Sequence, residues 1–150
     1  LHTNNAATTL PRLLEMGVEA FLVAATTNAV IAQRLVRRIC PHCKQEHAGN
    51  HEAILLDLGF SAEEAKTTKP SIGAGCEKCN GTGYKGRMGI YEVLHINDKL
   101  RAAIINNEPA TTLRDIALHD GFRPIQEIGR KMIQDGMLTI HEYQRNLIFN

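Results

Sequence analysis

The sequence predicts an α/β chain, interrupted by an insertion clipped together at two cysteine pairs and ended by a helical bundle. Three observations predict it. "RLVRRIC" at 34–40 approaches apolar/polar alternation and is rich in β-branched residues, and "RMGIYEVLHI" at 87–96 has the Ile, Tyr and Val of a strand. "CPHC" at 40–43 and "CEKC" at 76–79 bracket a polar stretch between those strands. From Asn97 onward, capping residues and apolar spacing recur in helical register.

The bulk composition bounds the rest. A chain of 150 residues makes one ordinary domain or pieces of two. With 43% hydrophobic and 22% charged residues it reads as globular rather than disordered. A net charge of only +1 makes no electrostatic case for nucleic acid, and with 5% aromatics and no Trp the chain lacks stacking platforms for single strands. No apolar run approaches the roughly 20 residues of a membrane-spanning helix. The opening "LHTNNAATTL" has neither the basic start nor the apolar core of a signal peptide, and it reads as the middle of a longer chain. Without an export signal, four cysteines in two C-x-x-C pairs suggest a reducing compartment and metal or redox chemistry rather than disulfides.

In chain order, "TTLPRLLEMG" reads as a helix capped by Thr8 or Thr9, with Pro11 in its first turn and Gly17 at its exit. "VEAFLVAATTNAVIAQ" is mostly apolar and predicts a second, well-buried helix before the strand that ends at Cys40. Inside the insertion, "HEAILLDLGF" predicts a short helix, and Ser61 with Glu64 forms a capping box for another. "TTKPSIGAG" reads as a linker or turn. After the returning strand, Asn97 caps "DKLRAAIINN" and Thr112 caps "LRDIALHD" before Gly121. "PIQEIGRKMIQD" runs to Gly136, and Thr139 with Glu142 makes a capping box for "IHEYQRNLIF". Each of these short helices needs neighbours to bury its apolar stripe, so a bundle is expected.

The cysteine spacing carries the strongest chemistry. Each C-x-x-C lets one tight knuckle present two thiolates, so Cys40, Cys43, Cys76 and Cys79 together match a tetrahedral structural zinc site. Arg37, Arg38, Lys44, Lys78, Lys85 and Arg87 lie close in sequence and could offset the negative charge of four thiolates. Gly81 and Gly83 allow the sharp turn after the second knuckle. A local alternative is Cys40, Cys43, His47 and His51, whose histidine spacing suits a zinc finger. Its first loop is too short to carry a finger, and it would orphan the second cysteine pair. A redox role lacks a thioredoxin-like context. "CEKCNGTG" also resembles the C-x-x-C-x-G-x-G repeat of Hsp40 chaperone zinc domains. That family uses the repeat four times; here it occurs once, because "CPHCKQEH" lacks both glycines.

Several stretches together resemble one family, the bacterial secretion ATPases of type IV pilus assembly and type II secretion. "LHTNNA" at 1–6 is similar to its histidine box, "RLLEMG" at 12–17 to its R-L-x-x-M-G helix, and "AQRLVRRICPHC" at 32–43 to its strand and first cysteine pair. "CEKCNGTGYKGRMGIYEVL" at 76–94 resembles the second pair and the strand after it. Order and gaps agree along essentially the whole chain. Asn5 stands where the family usually has Asp.

The resemblance implies the C-terminal part of a RecA-like P-loop ATPase. Residues 1–39 would end the nucleotide domain, 40–80 would form the zinc-binding subdomain, and 81–150 the returning strand and helical subdomain. His2 would be the box histidine that senses the γ-phosphate, supported by Thr3 and Asn4. Arg34 and Arg37, with Arg38, could meet phosphate or a neighbouring subunit, or form a solvated strand edge. The full motor would be a homo-hexamer using ATP and magnesium on the cytoplasmic face of the inner membrane, working with a platform protein and an adaptor. Pilus assembly is favoured slightly over secretion. The family's P-loop, Asp box and Walker B segment precede the histidine box and are not in these 150 residues, so the segment alone is expected not to hydrolyse ATP. A reading from another class is a free-standing zinc-stabilised adaptor that binds a protein partner without nucleotide.

Overall fold

Asn5 starts the first helix. Its Oδ1 accepts the Thr8 N–H at 2.9 Å, satisfying one of the free donors of a helix N-terminus. The computed structural model of the chain describes residues 1–149. With this cap, α1 runs Ala6–Glu15, earlier than the Thr8 or Thr9 start expected from sequence, and Pro11 lies inside it rather than in its first turn. The reason is packing: Ala6 and Ala7 are buried, and small side chains there let the first turn sit in the core. Gly17 takes φ +90° at the exit, where its N–H bonds Leu14 C=O and the Val18 N–H bonds Leu13 C=O.

The second helix is shorter than its apolar sequence suggests. α2 spans Ala20–Thr26 and buries Val23 and Ala24, while Phe21 and Leu22 stay exposed. The β-branched residues that follow leave the helix early, and the chain is already extended in β1, Ala29–Ile39. Next come β2 (Lys44–Glu46), α3 (Glu52–Asp57), α4 (Ala62–Thr67) and β3 (Ser71–Gly73). The Ser61/Glu64 capping box forms as read from sequence. β3 replaces the expected linker: Lys44, Gln45 and Glu46 pair antiparallel with Gly73, Ile72 and Ser71. Within the insertion α3 packs on α4, and Leu55, Leu58, Phe60 and Ala65 are buried, so this stretch has apolar packing as well as cysteines.

β4, Tyr84–His95, pairs with β1. The Ile96 N–H donates to Asn28 C=O and the Cys40 N–H to Gly83 C=O, so the pair is antiparallel. Four helices follow: α5 (Asp98–Ile105), α6 (Ala110–His119), α7 (Ile125–Gln134) and α8 (Ile140–Asn146). Asn97 caps α5 as expected. α6 instead starts behind Pro109, whose extended backbone sets the entry, so Thr112 lies within the helix. At α8 the Thr139 side chain accepts the Glu142 N–H at 3.0 Å, but the Glu142 carboxylate turns to Arg37 and the capping box is only half made.

The chain divides into two compact units. One comprises residues 1–33 and 91–125. In it α2 packs on α5, α6 packs on both α1 and α5, and Leu10, Val23, Leu94, Leu100, Ile104 and Leu113 form the core. Each such fully buried Leu or Ile contributes about 1.5–3 kcal/mol. The other unit holds residues 34–90 with the C-terminal segment from Gln126, and buries Val36, Ile90, Ile133, Leu138, Tyr143 and Leu147. No helix among the described residues is long and apolar enough to cross a membrane.

Candidate metal centre and the predicted nucleotide residues

Both cysteine pairs sit where strands end. Cys40 follows β1 directly, and Cys43 precedes β2. Cys76 opens a single 3₁₀ turn, Glu77–Cys79, and Asn80 leaves it at φ +54°. Gly81 and Gly83 continue with φ +75° and +79°, as the sequence reading required. Two further glycines, Gly73 and Gly75, were missed at that level although "SIGAGC" displays them. A Cβ on Gly73 would lie 2.0 Å from the Gly83 oxygen, and one on Gly75 would lie 2.8 Å from the Gly81 oxygen. The two backbones cross in bare contact, which brings the knuckles together.

All four sulfur atoms lie within 4.8 Å of one another. The Cys40–Cys76, Cys43–Cys79 and Cys76–Cys79 Sγ separations are each 3.8 Å. That is far beyond a disulfide bond. It is the edge of a tetrahedron with metal–sulfur bonds near 2.3 Å, about 3.8 Å, so these three edges match a zinc–sulfur tetrahedron. Backbone N–H groups point at the sulfurs: Gly75 to Cys43 at 3.3 Å, and Cys76 and Gly83 to Cys79, each at 3.2 Å. Charge compensation therefore comes in part from the backbone.

These contacts split the thiols. Burial pushes Cys43 up to about 12, with the Gly75 N–H pulling the other way. Burial also acts on Cys79, but its two backbone N–H donors outweigh it and bring the thiol down to about 6. A thiolate is thus already favoured at one corner of the cluster. Four protein ligands would close a tetrahedral site, so a metal held here would be structural, with no position left for a catalytic water.

His47 and His51 do not join it. Their rings face each other with centroids 4.1 Å apart, and the metal-binding group found among the described residues contains cysteines alone. The mixed cysteine–histidine alternative is not assembled.

The predicted nucleotide residues are not brought to one place with the cysteines. His2 is exposed ahead of α1, on a cavity of about 560 Å³ shared with Thr3, Thr8, Pro11 and Arg12. The Thr3 hydroxyl meets that of Thr9 at 2.7 Å and ties this segment to α1. Asn5, at the position where Asp was expected, works as a helix cap through its carbonyl oxygen, a role that needs no charge. Arg34 lies over the Phe149 ring at 4.7 Å. Arg37 is held by Glu142 through Nε and Nη2 at 2.8 and 2.7 Å, and it stacks over Tyr84 at 4.0 Å. Burial pushes the Glu142 carboxyl up, but the side-chain and backbone bonds from Arg37 outweigh it and hold it below the usual carboxylate range. Sequence reasoning missed Glu142 as a partner because its capping-box spacing offered a local use for it.

A second buried carboxylate, Glu92, was also missed. It occupies an inward position of β4, where Oε1 accepts the Ala6 N–H at 2.5 Å and Oε2 the Ile125 N–H at 2.7 Å.

The profile of the type II/IV secretion system protein family matches residues 1–145. The type IV pilus assembly ATPase PilB of Thermus thermophilus is 44% identical over 95% of this chain, which covers 16% of that relative. PilB of Myxococcus xanthus is 40% identical over 97% of the chain and 26% of the relative. The type II secretion system protein HxcR of Pseudomonas aeruginosa is 38% identical over 97% of the chain and 27% of the relative. The chain thus spans between about a sixth and a quarter of these relatives' lengths.

Proposed function

This chain belongs to the type II/IV secretion system protein family, and from that premise we propose that it is the C-terminal portion of a hexameric motor ATPase for type IV pilus assembly or type II secretion. The observation that carries the reading is the match along residues 1–145, shared with relatives named as pilus assembly ATPases and secretion proteins. In this reading residues 1–39 close a RecA-like nucleotide domain. Residues 40–80 form a zinc subdomain, and residues 81–150 return to the motor and end in its helical part. ATP and magnesium are held by segments ahead of Leu1, so these 150 residues alone do not hydrolyse ATP. The complete motor works at the cytoplasmic face of the inner membrane with a platform protein and an adaptor.

Roles follow from chemistry. His2 donates a hydrogen bond to a γ-phosphate oxygen and changes partner on hydrolysis. Zinc held by Cys40, Cys43, Cys76 and Cys79 locks the two knuckles and supplies no catalytic step. Of the two arginines, Arg37 already serves Glu142.

The test is made in the full-length protein. His2→Ala should abolish turnover while ATP binding persists. Turnover at the unsubstituted rate would defeat the sensor role, and a reading frame ahead of Leu1 with no P-loop would defeat the motor reading itself.

A further inference from the structure

Arg87 on β4 and Arg145 on α8 line one cavity of about 250 Å³ together with Arg37, Glu142 and Asn146, over Leu35 and Val36. Glu142 is the only carboxylate in that lining, and its oxygens are fully used. Oε1 accepts from Arg37 Nε and Nη2 at 2.8 and 2.7 Å. Oε2 accepts from the Arg37 backbone N–H at 2.7 Å and from Asn146 Nδ2 at 3.2 Å. Four bonds on two oxygens exhaust the acceptor capacity of a carboxylate.

Three guanidiniums against one carboxylate leave the lining with a net charge of +2. Arg145 adds a Coulomb attraction to Glu142. Among the described residues, neither Arg87 nor Arg145 makes a hydrogen bond or ion pair. Both are exposed, and their donors are open to an anion from outside.

We propose that this cavity binds a phosphate group, held between the Arg87 and Arg145 guanidiniums on the floor made by the Arg37–Glu142 pair. Charge selects the class. A phosphate monoester carries about −1.5 to −2 and three acceptor oxygens, which matches two forked cations, whereas a carboxylate brings a single negative charge against two positive ones. The volume lies below the roughly 300–1,000 Å³ of pockets that enclose drug-sized ligands, so the site takes a compact anion or the phosphate end of a larger molecule at its mouth. The inference does not rest on the motor reading.

The test is a titration of inorganic phosphate into the chain at low ionic strength, followed by amide chemical shifts and calorimetry. Saturable binding with shifts centred on Arg87 and Asn146 is expected. It should weaken about tenfold or more in Arg87→Gln/Arg145→Gln and hold in Lys99→Gln, which removes a charge in the other unit. Should the double variant melt early, Arg87→Lys/Arg145→Lys keeps the charge, loses the forks, and should still bind more weakly. Shifts that never saturate, equal affinity in the glutamine variant, or acetate binding as tightly as phosphate would each overturn the proposal.

Discussion

The guanidinium of Arg37 and the carboxylate of Glu142 meet at 2.7 Å across 105 residues of chain. Arg37 also donates its backbone N–H to the same side chain, and the Glu142 side chain is only 2% exposed. The last helix is thereby pinned to the edge of β1, and the local capping box is given up for a charge-assisted pair.

Glu142→Ala should therefore cost about 2–3 kcal/mol, below the full cost of breaking a buried pair because the Arg37 side chain is 36% exposed. The folded-state carboxyl sits below its ordinary 4.5. Its contribution is present above that value and is lost as pH falls through the lower folded value. Urea melts at neutral and acid pH should show the gap between native chain and Glu142→Gln closing in acid. A gap constant with pH would contradict this.

The Gly73–Gly83 crossing yields a contrast between two alanines. Gly73→Ala drives a Cβ to within 2.0 Å of a backbone oxygen, and no side chain is there to yield. The knuckles must part, so destabilisation above about 2 kcal/mol and weakened metal retention are expected. Gly81→Ala meets open space and bears only the strain of φ +75°, about 1 kcal/mol. Thermal melts with zinc present would rank them, and the reverse order would show that the crossing is not the constraint.

Removing one sulfur should empty the cluster. In Cys76→Ser three thiols remain, and the two 3.8 Å edges at Cys76 are lost. Metal analysis of the purified chain should give near one zinc per chain, and well under half of that in the variant. Structural zinc contributes on the order of 10 kcal/mol to folding, so chelation should also lower the melting temperature. An undiminished zinc content in the variant would exclude four-cysteine ligation.

Part of the chemistry that residues close in the chain determine was legible in the sequence, although Asn5 and Pro109, not Thr8, Thr9 or Thr112, precede α1 and α6. The cysteine spacing, the Ser61 and Asn97 caps and the glycine turn after Cys79 all read correctly. Long-range partners were not. "TTKPSIGAG" looks like a linker because β3 exists only through pairing with β2, and Gly73 and Gly75 acquire their purpose only when another backbone crosses them. The tail was read as one bundle by periodicity, which cannot say that α5 and α6 share a unit with α1 and α2 while residues from Gln126 onward belong to the other. Apolar composition likewise overstated α2, whose Phe21 and Leu22 remain exposed.

Glu92 presents the sharpest case of a residue whose alternation was readable and whose role was not. Ile90, Glu92 and Leu94 point inward along β4, so a carboxylate stands in a row of aliphatics at 1% exposure. It is tolerated there because two backbone donors, Ala6 N–H and Ile125 N–H, satisfy it. Ala6 begins α1 and Ile125 begins α7, so the charge also lies where helix N-termini favour an anion. Glu92→Ala should leave two buried N–H groups unpaired and cost about 2–4 kcal/mol. Glu92→Gln keeps one acceptor but turns an NH₂ toward the other N–H, so about half that loss is expected. Chemical denaturation of both variants measures the difference, and a Glu92→Gln chain as stable as the original would mean that the carboxylate is not what joins these two helix starts.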